Sequence, residues 1–161
     1  MTEKNMIRHE GSCICGEVKF LVKLDKKPRV FNCHCIDCRK KLGGIITIIQ
    51  LRDNALEIDE SKLSKYTHSG GSKNTIIKSF CKNCAAPVST YVEKWGVSYL
   101  YAGLLNDVSS LKYAKNIFYE DSHFPFMKIN EEELVVWSYE QKYYFILSNF
   151  NFWFNCTLYI S

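Results

Sequence analysis

Val18, Phe20, Val22 and Leu24 recur at every second position of "EVKFLVKL", residues 17–24. That period of two predicts a half-buried strand with those four side chains on one face. Short β-branched or aromatic runs return in "GGIITIIQL", "NTIIKSF", "VSTYVE", "VSYLYAG" and "NIFYE", each bounded by Gly, Asn, Ser or Lys. "HSGGSKN" has the composition of a hairpin loop between two such strands. No long amphipathic helical pattern is present. Only "CIDCRKKLGG" predicts a turn or two of helix, ended by Gly43 and Gly44. The expected architecture is mainly β, a single domain of short antiparallel strands without an internal repeat or a Pro- or Gly-rich linker. The pattern changes in the last stretch, "YYFILSNFNFWFNCTLYI", residues 143–160, eighteen positions without a charge. That is close to the length needed to span a bilayer, yet Asn149, Asn151, Asn155, Ser148 and Thr157 lower its hydrophobicity. Two readings stand for it, an additional strand or aromatic extension and a tail anchor that contacts a membrane.

Composition changes the picture little. The chain has 161 residues, 47% hydrophobic and 24% charged, with a formal net charge of +4. This length supports a core without cross-links. The charge excess is mild and no block of five like charges occurs, so nucleic acid is not an expected partner. The start, "MTEKNMIRHEGS", is charged and has no apolar run, so neither a signal peptide nor a membrane anchor is expected there. The expected location is cytoplasmic, with the nucleus as a further possibility. In such a reducing compartment close cysteines read as metal ligands or catalytic thiols rather than disulfides.

Eight cysteines are present. Cys156 stands alone in the tail and reads as a bystander, a small hydrophobe. The other seven fall into "GSCICGEV" (Cys13, Cys15), "CHCIDC" (Cys33, Cys35, Cys38) and "CKNCAAP" (Cys81, Cys84). A structural zinc takes four thiolates, whereas a catalytic zinc keeps one position open beside three protein ligands. Seven divides as four plus three. In an extended segment Cys13 and Cys15 point to one side with Ile14 facing away. Cys81 and Cys84 have knuckle spacing, and the two pairs would close a four-cysteine site that staples the domain. Cys33, Cys35 and Cys38 can form a three-ligand face locally. Two other divisions stay open: one four-cysteine zinc with the remaining three thiols buried, and a pairing in which Cys33 and Cys38 help close the structural site. His34 should point away from the cluster, packed or hydrogen-bonded, and His9, His68 and His123 are expected to be satisfied or solvated.

An open three-thiolate zinc carries a net charge of minus one, which makes it a weak Lewis acid and a poor generator of zinc hydroxide. It does bind another sulfur well and would hold an incoming thiol as thiolate. The expected partner is therefore a small thiol. Arg39, Lys40 and Lys41 would offset the cluster's charge, with Arg39 and Lys40 the candidates to receive carboxylates of an anionic thiol compound.

"GSCICGEVKF", "CHCIDCRKKLG", "CKNC", "AGLLND" and "HFPFMKINEEEL" together resemble the family of the glutathione-dependent formaldehyde-activating enzyme, which also includes centromere protein V. The resemblance covers roughly residues 11–136 with motif order and spacing kept, and leaves 137–161 as an aromatic tail without a counterpart. It implies a zinc-carrying β-tent with two zincs per chain. Cys13, Cys15, Cys81 and Cys84 would hold the structural ion and Cys33, Cys35 and Cys38 the catalytic one. It implies a carbon–sulfur lyase that condenses formaldehyde with glutathione to S-hydroxymethylglutathione. The alternative is a non-catalytic zinc-binding interaction module, as centromere protein V suggests. Two departures are visible: Ala85 stands where the family has Gly after its last cysteine, and Asn106 replaces the first acid of the "AG-x-L-D-D" segment.

Overall fold

In this computed structural model the described residues are 6–119 apart from Ser72 and Tyr113. The tail, with Cys156, and His123 lie outside them. Ten strands form two sheets among the described residues. The smaller is antiparallel, ordered β1 (Met6–Ser12), β2 (Lys19–Asp25) and β5 (Leu56–Ile58). The larger runs β10 (Lys115–Ile117), β3 (Val30–Cys33), β4 (Ile46–Gln50), β9 (Val97–Tyr101), β8 (Pro87–Val92), β7 (Thr75–Cys81) and β6 (Leu63–Ser69). Its pairings are antiparallel except for β10 with β3. The chain is mainly β, as the hydrophobic pattern predicts. β1 is extended beyond its own sheet by a bridge from Gly11 to Leu105 and by the Asn106 N–H, which donates to the Glu10 carbonyl at 2.9 Å.

The alternation of side chains explains the two cores. Phe20, Val22 and Leu24 of β2 are buried, as their spacing requires, and pack with Val30, Ile49, Val88 and Leu100 between the sheets. The neighbouring positions Phe31, Ile48, Tyr99 and Tyr101 turn to the opposite face of the large sheet and form a second core. Strands such as "ITIIQ" and "VSYLY" therefore read as almost continuous apolar runs, because both of their faces are covered. The α-helix α1 (Ile36–Leu42) spans the predicted stretch and ends at Gly43 in the left-handed region, φ 76°. The loop at 70–74 joins β6 to β7 as the hairpin composition predicts. No helix among the described residues is long and apolar enough to cross a membrane.

Candidate metal centres and active site

The first cysteine set closes across the two sheets. Cys13 and Cys15 lie in the turn between β1 and β2, Cys81 ends β7, and Cys84 lies in the turn before β8. Their four sulfurs lie within 4.8 Å of one another, with Cys13 Sγ 3.3 Å from Cys15 Sγ and 3.6 Å from Cys81 Sγ, and Cys15 Sγ 3.8 Å from Cys81 Sγ. A tetrahedral ion with metal–sulfur bonds of about 2.3 Å has sulfur–sulfur edges of roughly 3.8 Å, so the donor set fits one ion with small adjustment. The expectation of an extended Cys13 to Cys15 segment is corrected here. The Gly16 N–H donates to the Cys13 carbonyl at 3.0 Å, and Gly16 is left-handed at φ 76°. A tight turn, not a strand, converges the two thiols. Ile14 does face away and is 91% exposed. The second knuckle is built alike, with the Ala85 N–H donating to the Cys81 carbonyl at 3.0 Å and Ala85 at φ 57°. Hydrogen bonding from the Glu17 backbone, with help from Asn83, lowers the Cys15 thiol to about 6, which favours the ligand form.

Cys33, Cys35 and Cys38 form the second set, their sulfurs also within 4.8 Å of one another. β3 delivers Cys33, and Cys35 is the N-cap of α1, its Sγ accepting from the Cys38 N–H at 3.3 Å. Like charges at such a separation repel by about 4 kcal/mol at an effective dielectric near 20. The three thiols consequently share one negative charge when no cation is present. Hydrogen bonds from Cys33 and Cys38 lower Cys35 to about 2, while the Cys33 thiol is pushed far upward, first by its bond to Cys35 and then by Cys38 and burial. A dication removes that conflict by letting all three ionise. Both sets are thus able to hold metal ions.

His34 is buried and points away, its Nε2 2.9 Å from Asn116 Oδ1 and its ring edge-on to Tyr119. It is outside the sulfur cluster, as the local geometry predicts. His68 packs edge-on against Tyr66.

The three-cysteine set opens onto a cavity of about 90 Å³ whose walls include Ile48, Ile76, Val92, Tyr99 and Tyr101. Burial raises Tyr99 to about 12, and Tyr101 is raised further, again chiefly by burial. Both therefore present neutral phenols near pH 7, and the Tyr101 hydroxyl shares a 3.0 Å hydrogen bond with Thr90 Oγ1. Arg39 and Lys40 are carried on the last turn of α1 but are not among the residues that line the cavity. Lys41 is drawn over the rings of Tyr66 and Phe80, 4.9 and 5.2 Å from their centroids. The cation in the cavity wall is Lys78 of β7, 3% exposed. Sequence reasoning missed it. Its position two residues after Ile76, on the same strand face, is the signal that places it there.

Fold and site together define a class: a mainly β chain that gathers seven cysteines into two separate sets able to bind metal, one beside an apolar cavity. The chain belongs to the glutathione-dependent formaldehyde-activating enzyme family, which it matches over residues 8–121. A Halomonas elongata protein provisionally given that family name is 31% identical over 97 residues, which cover 53% of this chain and 57% of the relative. The chain therefore spans little more than half the length of that curated relative. A crystal structure of a Rhodobacter sphaeroides protein matches with a TM-score of 0.52 at 18% identity, over 66% of this chain and 98% of that one, a likeness of fold.

Proposed function

We propose that this protein is a zinc-dependent carbon–sulfur lyase that joins a small thiol such as glutathione to formaldehyde, or splits the adduct, in the manner of an S-(hydroxymethyl)glutathione synthase. The observation that carries the reading is the separation of the two cysteine sets. Cys33, Cys35 and Cys38 line a cavity, whereas Cys13, Cys15, Cys81 and Cys84 are not among its lining residues. In this reading the four-cysteine set holds a structural zinc and the three-cysteine set the catalytic one. Zinc held by three thiolates supplies a soft site that keeps an incoming thiol ionised.

The chain's own residues do the rest. Ile48, Ile76 and Val92 exclude water, which strengthens charge interactions at the sulfur and prevents its protonation by solvent. Tyr99 and Tyr101 remain donors, and the narrow cavity holds thiolate and aldehyde close together, which lowers the entropy cost of their encounter. A cytoplasmic location, where glutathione is the abundant thiol, follows from the same reading.

The test is elemental analysis of protein purified without chelator, coupled to an assay of formaldehyde consumption by glutathione. Two zincs per chain are expected, with Cys33→Ser losing one of them together with turnover. A single zinc, or two that leave the protein unable to consume formaldehyde, would sink the lyase.

A further inference from the structure

Among the described residues Lys78 is the buried charge that its surroundings leave least explained. It is 3% exposed, and among the described residues its Nζ has no hydrogen-bond partner. A buried ammonium without a partner is strongly unfavourable, so something must compensate it. The acid that lines the same cavity, Asp37, accepts the Gly71 N–H at its Oδ2, 3.1 Å away, and forms no ion pair with Lys78. The compensating charge lies in the cysteine cluster, because Cys33, Cys35 and Cys38 line the same cavity as Lys78. Three thiolates and a dication sum to minus one, a charge that Lys78 offsets, while the Asp37 carboxylate in the same wall adds no cation. The remaining cavity walls named above are apolar or carry neutral hydroxyls, so among the described lining residues a new negative charge formed here has one cation to turn to.

Resting on the lyase reading, we propose that Lys78 is the oxyanion-binding residue of this cavity and receives the anionic oxygen that arises beside the metal-bound sulfur. When a thiolate adds to an aldehyde, a sulfur lone pair forms the S–C bond and the C=O π pair moves onto oxygen. The resulting alkoxide accepts a hydrogen bond from the Lys78 ammonium. It takes up a proton as the adduct leaves the cavity for solvent, which replaces the proton the thiol released on binding. Thiol plus aldehyde equals hemithioacetal, and no other reactant is needed. In the reverse direction the same contact stabilises the alkoxide as the S–C bond breaks.

A binding experiment tests this without turnover. The holoprotein is loaded with cobalt(II), whose thiolate absorption reports entry of a fourth sulfur, and titrated with mercaptoacetate and with ethanethiol. The wild type is expected to bind mercaptoacetate about tenfold or more tighter, the worth of one hydrogen bond to a charged group. Lys78→Met should abolish that preference while keeping both metals and the affinity for ethanethiol, and Lys78→Arg should retain it. A wild type without the preference, or a Lys78→Met variant that keeps it, overturns the proposal. So does loss of metal from Lys78→Met with metal retained in Lys78→Arg, because Lys78 would then be a counter-ion for metal loading. Preference without turnover of glutathione and formaldehyde would sink the lyase and leave the anion subsite standing. Turnover without preference would do the reverse.

Discussion

At the scale of single residues, the backbone at Ala85 stores strain that a different side chain would release. A β-carbon in the left-handed region costs about 1–2 kcal/mol, and Ala85 sits at φ 57° because its N–H must reach the Cys81 carbonyl to close the second knuckle. The equivalent position of the first knuckle is Gly16, which adopts φ 76° without that cost. Ala85→Gly removes the strain but gives the unfolded chain more freedom, which offsets about 0.4–1 kcal/mol of the gain. The strain term is the larger, so the variant should be more stable, with Tm raised by about 2–4 °C for a chain of this size. Thermal unfolding of the metal-loaded protein checks this. An unchanged or lower Tm would mean that the Ala85 methyl group makes a contact worth as much as the strain.

At the scale of elements, α1 owes its start to a residue with two duties. Cys35 caps the helix by accepting the Cys38 N–H and also supplies one of three clustered sulfurs. The duties separate by substitution. Serine is among the best N-caps and alanine among the worst, a difference of about 0.5–2 kcal/mol, whereas neither offers a soft sulfur ligand. With the four-cysteine site loaded, Cys35→Ser should therefore approach wild-type resistance to denaturant and Cys35→Ala should fall about 1 kcal/mol below it, both with one metal fewer per chain. Equal stability of the two would deny the cap, and a full metal count in either would deny the ligand. Sequence pattern revealed this helix, with its terminal glycine and the hairpin at 68–74, because local residues alone specify them. It also revealed the strands whose faces are buried. β1 and β6, "MIRHEGS" and "LSKYTHS", went unread because most of their side chains are only partly buried or exposed, so hydrophobicity leaves no period. β3 has four residues and β5 three, too few to show one. The grouping of the sulfurs was legible because ligand spacing is local. Lys78 was not, because a lysine in a strand ordinarily faces solvent, and only the tertiary fold, which sets it in one cavity wall with Asp37 and Cys38 of α1, turns this one inward.

At the scale of the whole molecule, the two cysteine sets differ in what they hold together. Cys33, Cys35 and Cys38 belong to one β3–α1 segment, so an ion there closes a short loop. Cys15 and Cys81 are 66 positions apart, and their set ties the turn of the small sheet to the end of β7 in the large one. The entropy of closing a chain segment grows with its length. By analogy with a covalent cross-link, a loop of this size is worth about 4 kcal/mol, and any metal bound only by the folded form adds its own linkage. Outside this site, the polar links that join β1 and β2 to the rest of the described residues include the backbone contacts of Gly11 with Leu105 and Asn106 with Glu10 and the solvent-exposed ion pairs Arg52–Asp25 and Lys62–Glu17. Such ion pairs are individually weak. Progressive chelation should therefore remove two metals in order. The first, from the cavity side, should leave with Tm nearly unchanged and with glutathione able to hasten its departure. Loss of the second should lower Tm steeply, by roughly 10 °C or more, and expose the core between the sheets. Following metal release with a colorimetric chelator while recording Tm at each equivalent distinguishes the cases. A fall in Tm on loss of the first metal would transfer the stapling role to Cys33, Cys35 and Cys38 and would invert the division between a structural and an open site.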